Sequence, residues 1–191
     1  MGILGTIIKL GLIGLIAIIG VGLVGGALVF TGKPSPCLNR TVVPSTAVSQ
    51  ALREQWAAFE SQAASGNATI AFDETGVTSR GVEYINEKDL PLKDLQVHFC
   101  PDGLGEARGT IKVLGTDIHV LLRGTLDLSG PKPRIDVREI KAGNLPGLFG
   151  GTDWIINNIV NKSNADILDV KPHLISLDIK DGSATLTGGP P

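Results

Sequence analysis

The chain has 191 residues, 42% of them hydrophobic, and its 17 Lys and Arg nearly cancel its 19 Asp and Glu to leave a formal net charge of -2. With 4% aromatic residues and no interleaving of basic and aromatic side chains, nucleic acid is excluded as a natural partner. The length suffices for one domain with its own core.

The N-terminus dominates the expectation for location. No charged side chain occurs between Lys9 and Lys33, and residues 10–30 are almost wholly Leu, Ile, Val, Ala and Gly. A hydrocarbon core needs roughly 20 such residues in a helix. A cleaved signal peptide would have a more basic leader and a shorter apolar run. The sequence therefore predicts a tail over 1–9, a transmembrane anchor over 10–32, a linker over 33–45 and an extracytoplasmic domain over 46–191. Charge bias is nearly balanced between Lys9 and the pair Lys33 and Arg40. The short tail before the helix favours a single-pass signal-anchor in the cell membrane with the domain outside. Gly22 and Gly26 have the spacing of a helix-pairing motif, which arises easily by chance in so glycine-rich a span.

The linker carries three prolines, Pro34, Pro36 and Pro44, and follows Gly32. Ser45 or Thr46 then caps a helix whose Val48, Leu52, Trp56, Phe59 and Ala63 share one face, and Gly66 ends it. Residues 69–72 form a short strand. Residues 73–86 read as a second, weaker helix with Val77, Gly81 or Val82, and Ile85 inward, weakened by Gly76 and Gly81. The period then changes to two. Leu95, Val97 and Phe99 alternate with Asp94, Gln96 and His98. Pro101-Asp102-Gly103 turns the chain, and residues 107–113 alternate again. In the longest strand Ile118, Val120, Leu122, Leu126 and Leu128 share a face, opposite His119, Leu121, Arg123, Thr125 and Asp127. Residues 130–133 turn, and 135–140 return. Thr152 or Asp153 caps a third helix with Ile155, Ile156, Ile159 and Val160 on one stripe. A closing hairpin pairs Ile175, Leu177 and Ile179 with Ala184 and Leu186 across a type I′ turn at Asp181-Gly182. The expected fold is α+β: one curved antiparallel sheet of about six or seven strands, with two or three helices on one face.

Catalytic chemistry is sparse. No Gly-rich phosphate loop, Gly-x-Ser-x-Gly elbow or His-Glu-x-x-His motif occurs. No cofactor and no catalytic residue is expected. His98 with Cys100, and Asp117 with His119, would converge on a metal only if their strands were neighbours; otherwise they are outward polar pairs. Asp73 and Glu74 read as a helix start. Cys37 and Cys100 are the only cysteines. They either form one disulfide or remain separate, partly buried thiols. Asn39, Asn67 and Asn161 open glycosylation sequons, which matter only in a host that uses them.

The order of elements resembles the LmeA-like and YpmS-like envelope proteins. The resemblance is carried by Phe72-Asp73-Glu74 before Val77-Thr78-Ser79, by Leu92-Lys93-Asp94-Leu95-Gln96-Val97, and by Gly109-Thr110-Ile111. The strand through Val120 and Leu122, Ala142-Gly143-Asn144-Leu145-Pro146, and the run from Ile175 to Gly188 complete it. It covers about two-thirds of the chain and departs in the two glycines of the 73–86 helix. The resemblance implies a lipid-binding-type domain without catalytic residues, holding a lipid or lipid-linked ligand in an apolar groove between helix and sheet. Trp56, Phe59, Val120, Leu122, Ile155 and Ile159 are the residues expected to line it, with core packing as the alternative role. A scaffold or assembly protein that binds an envelope protein through its sheet face or edge is the second expectation. A metal enzyme is the third.

Overall fold

A computed structural model of the protein describes residues 33–87, 92–113, 116–130, 133–142, 145–146 and 172–190. Helix α1 spans Thr46–Ala63 and begins where Ser45 leaves extended backbone at φ -143°. The Ser45 carbonyl accepts the first turn's hydrogen bond from the Ser49 amide at 3.0 Å, while its hydroxyl makes no cap. The buried face carries Ser49, Leu52, Trp56, Phe59 and Ala63. Val48, expected inward, is half-buried. Ser49 takes the inward place because its hydroxyl donates to Glu83 across the helix pair.

Strand β1 spans Ala68–Asp73, and α2 follows at once over Glu74–Glu87. Asp73 caps α2 by accepting the Gly76 amide at 2.6 Å. The two glycines do not break this helix. A Cβ at Gly76 would meet the Leu52 side chain of α1 in ordinary contact at 3.5 Å, and the capping Asp73 Oδ1 more tightly at 3.1 Å.

Two antiparallel sheets follow instead of one. The larger has the order β2-β3-β4-β5-β6, with β2 Leu92–Phe99, β3 Gly105–Val113, β4 Thr116–Asp127, β5 Arg134–Ala142 and β6 Leu145–Pro146. The smaller has the order β1-β8-β7, with β7 His173–Lys180 and β8 Ser183–Gly189. The expected single curved sheet is therefore corrected to two sheets in a mostly strand structure. The meander from β2 onward pairs as its short turns dictate. The misreading lies in β1, which joins the distant β8, Phe72 facing Ala184, rather than a chain neighbour. Two helices are present among the described residues, and the expected third, with Ile155 and Ile159, lies outside them.

The closing hairpin also differs in detail. The register slips between Leu174 and Ser176, so Ile175 is a bulge residue and 46% exposed while Leu174 points inward. Gly182 has φ 79° while Asp181 keeps a negative φ, so the turn is not type I′.

No helix of the described residues is long and apolar enough to cross a membrane. Helix α1, with 18 residues, carries Arg53, Glu54 and Glu60, and α2 has 14 residues, about 21 Å against a core of about 30 Å. The transmembrane, single-pass and signal-anchor expectation, with the cell-membrane and extracytoplasmic placement that rested on it, is set aside on this finding. The 10–32 segment that prompted it lies outside the described residues.

Two apolar clusters fill the interior. One joins Leu52, Val77, Ile85, Leu92, Leu95, Val97, Phe99, Ala107, Val120 and Ala184, between α2 and the larger sheet. The other joins Trp56, Phe59, Ala63, Ala68, Ile70, Leu174 and Leu186, between α1 and the smaller sheet. Each fully buried side chain of this size contributes about 1.5–3 kcal/mol. Phe59 occupies the space that a side chain at Gly188 would need: a Cβ there would lie 2.7 Å from Phe59 Cζ and 3.3 Å from the His173 carbonyl. Gly188→Ala is expected to destabilise the domain by about 1–3 kcal/mol in chemical denaturation. Gly66→Ala, with nothing within 4 Å of the new Cβ, is the control expected to leave stability unchanged.

Candidate functional site

Two regions combine features that simple core packing does not require. The first is a half-exposed apolar strip. Phe72 and Leu177 are partly buried and pack against both clusters; Val82 and Ile179 flank the first, and Leu128 flanks the second. Cross-strand pairing creates the strip. Ile70, Leu186 and Leu177 face one another across the smaller sheet, as do Phe72, Ala184 and Ile179. Trp56 stacks on Phe72 with ring centroids 6.2 Å apart and touches Phe59 at 5.3 Å. The buried Trp56 indole N–H finds no acceptor among the described residues. In so apolar a surrounding an unpaired donor is costly.

The second region is a polar row under the segment 37–42. In register across the larger sheet stand His98, Glu106, Arg123 and Glu139. His98 and Glu106 are fully buried, although His98 belongs to the face expected to be solvated. The segment 37–42 covers that face and is held by side chains. Glu106 Oε2 accepts the Cys37 amide at 2.8 Å. Arg108 donates to the Arg40 carbonyl at 3.0 Å. The Gln96 carboxamide accepts the Val42 amide at 2.7 Å and donates to the Val42 carbonyl at 3.0 Å. Cys37 and Cys100 close the end of this strap as a disulfide, with Cα atoms 5.9 Å apart.

Electrostatics differ sharply along the row. Burial drives the Glu106 carboxyl above the ordinary carboxylate range, and the Cys37 amide, Arg123, His98 and Arg108 only partly offset it. Arg123 stands 3.7 Å from Glu106 but spends its stronger contacts on Asp102 at 2.7 Å and Glu139 at 3.5 Å. Glu74, at the first turn of α2, goes the other way. Burial opposes its charge, yet the Arg40 guanidinium, the Phe99 amide and His98 outweigh it and hold the carboxyl below its usual range. Arg40 grips it through two nitrogens at 2.6 and 2.7 Å. His98 Nδ1 is 3.3 Å from Glu74 Oε2 but is not aligned for a hydrogen bond. Both His98 ring nitrogens and Glu106 Oε1 lack a hydrogen-bond partner among the described residues.

These contacts also close an edge. Thr78 Oγ1 donates to the Val97 carbonyl and accepts its amide, Glu74 accepts the Phe99 amide, and Gly182 donates to the Phe99 carbonyl. The outer side of β2 is thus satisfied internally, which protects it from pairing with another chain.

The residues expected to line a groove are only partly gathered. Trp56 and Phe59 lie together in the second cluster, and Val120 lies in the first. Leu122 is 1% exposed and belongs to neither cluster. Ile155 and Ile159 lie outside the described residues. The conditional metal set of His98, Cys100, Asp117 and His119 does not form. His119 pairs with Thr110 and Asp117 with Lys112, several residues along β4 from the His98 row, and Cys100 is bonded. Cys37, Cys100 and Glu106 instead place their ligand atoms within 4.8 Å of one another. Glu106, Gln96 and Arg40 were missed because each looks like an ordinary surface residue; only the strap, which leaves no local signal, buries Glu106 and engages Gln96, while Arg40 stays exposed on the strap itself.

No family model matches the chain, and no curated protein matches it closely enough to serve as a relative.

Proposed function

We propose that the domain is a non-enzymatic binding module for a lipid or lipid-linked molecule, taken up along the strip of Phe72, Leu177, Ile179 and Leu128. The observation that carries this reading is the half-exposure of side chains that touch both apolar clusters at once. Apolar ligands bind where such side chains converge beside a few polar groups. Trp56 supplies the polar group, a buried N–H free to donate among the described residues. The resemblance to LmeA-like and YpmS-like proteins points to the same ligand class.

The test is native mass spectrometry of the full chain from a membrane-containing host, with lipid extraction of the same sample. A co-purifying lipid near one per chain is expected. A second readout uses Trp154→Phe, which leaves Trp56 as the sole indole of the two in the chain. Lipids brominated on the acyl chain should quench its emission, and Leu177→Asp should abolish the quenching. A lipid-free mass with unquenched Trp56 would sink the proposal and turn the search to a protein partner.

A further inference from the structure

The geometry points to a redox-gated site for a thiophilic divalent cation, zinc by preference, formed by Cys37, Cys100 and Glu106 once the disulfide is reduced. The site stands apart from the apolar strip and needs no ligand there. Two facts converge on it. A Glu106 carboxylate oxygen lies within 4.8 Å of both sulfur atoms, which are joined in the disulfide and on reduction would move apart to roughly 3.8 Å around a tetrahedral zinc, given Zn–S of about 2.3 Å. Glu106 divides its two oxygens: Oε2 holds the Cys37 amide, while Oε1 is buried without a partner among the described residues. His98, directly across β2 and β3 from Glu106, is not one of that ligand group and has its Nδ1 3.3 Å from Glu74 Oε2, so the fourth zinc position is left to solvent.

The donor set suits the chemistry. Two thiolates and a carboxylate match zinc better than magnesium or calcium, which prefer oxygen alone. Opening the site takes two electrons and two protons from a dithiol reductant, which leaves as its own disulfide while Cys37 and Cys100 become thiols. Cation binding then releases the thiol protons to solvent. The strap stays in place through its contacts to Gln96, Arg108 and Glu106, so reduction exchanges one cross-link for another.

Cobalt(II) titration of the full chain tests this, after reduction by a phosphine that is then removed. The reduced chain is expected to bind a single cobalt with thiolate-to-metal absorption and the intense visible bands of tetrahedral geometry, displaced by zinc. The oxidised chain should show neither. Glu106→Gln keeps both thiols and an acceptor for the Cys37 amide, and is expected to weaken binding roughly tenfold or more. Circular dichroism of the reduced, metal-free chain is recorded alongside. Wild-type affinity in Glu106→Gln, absence of the thiolate band, or a chain that unfolds on reduction would each overturn the proposal, because the thiols would then bind as an unstructured pair or not at all.

Discussion

Replacing Cys37 and Cys100 together by serine is expected to lower the unfolding free energy by about 4 kcal/mol. The reasoning is entropic. The paired cysteines are 63 residues apart, and a cross-link closing so long a loop removes much of the freedom of the unfolded chain. A domain of ordinary stability, about 5–15 kcal/mol, survives that loss, so the variant should fold with a lower denaturation midpoint. Local opening should go further than global unfolding. With the bond gone, segment 37–42 is held by Glu106, Arg108 and Gln96 and by the grip of Arg40 on Glu74 and Asp181. Hydrogen exchange at the Cys37-position and Val42 amides should therefore accelerate more than exchange in β3. A loss below about 1 kcal/mol would show that the side-chain clamps alone define the strap and that the disulfide is incidental.

Why the strap escaped the sequence reading is itself physical. Period-two alternation correctly marked β2 through β5 and the β7–β8 hairpin, because each strand's neighbour is also its neighbour along the chain. Helical spacing marked α1, and the Asp73-Glu74 start of α2 is where the helix begins. Alternation reports which face a side chain takes, though, and not what later covers that face. Gln96 and His98 do point away from Leu95 and Val97, yet His98 is fully buried, because a segment more than fifty residues earlier lies over it. The pairing of β1 with β8 was hidden for the same reason: no local pattern records a partner at the far end of the chain. Ile175 failed differently. One inserted residue breaks strict alternation, and a bulge has no signature beyond that break. Among the groove candidates, Trp56 and Phe59 share a helix face and so were brought together as expected. Leu122, on β4, is buried beside Ala107 of the first cluster, on a different element from the helix pair.

Glu74→Ala is expected to cost about 3 kcal/mol, because Glu74 joins three separate parts of the chain. Its carboxylate takes both arms of Arg40 from the strap and the Phe99 amide from β2 while it begins α2. Alanine leaves the buried Phe99 N–H unsatisfied, leaves Arg40 with the exposed Asp181, and removes the carboxylate 3.3 Å from His98 Nδ1. Asp181→Asn separates the pairing of Arg40 from the burial of Glu74. That carboxylate meets Arg40 at 2.9 Å but is 56% exposed, so its loss should cost under about 1 kcal/mol. The pH dependence follows from the direction of the shift. Because the folded-state pKa of Glu74 is depressed below its ordinary value of 4.5, its stabilisation is complete above that value and is lost as pH falls through the folded-state pKa. The gap between wild type and Glu74→Ala should therefore be widest near neutrality and narrow only in acid below 4.5. Urea denaturation of both proteins across that range measures it directly. A gap that stays constant into strong acid would mean that the charge of Glu74 contributes nothing and that the alanine acts through lost packing alone.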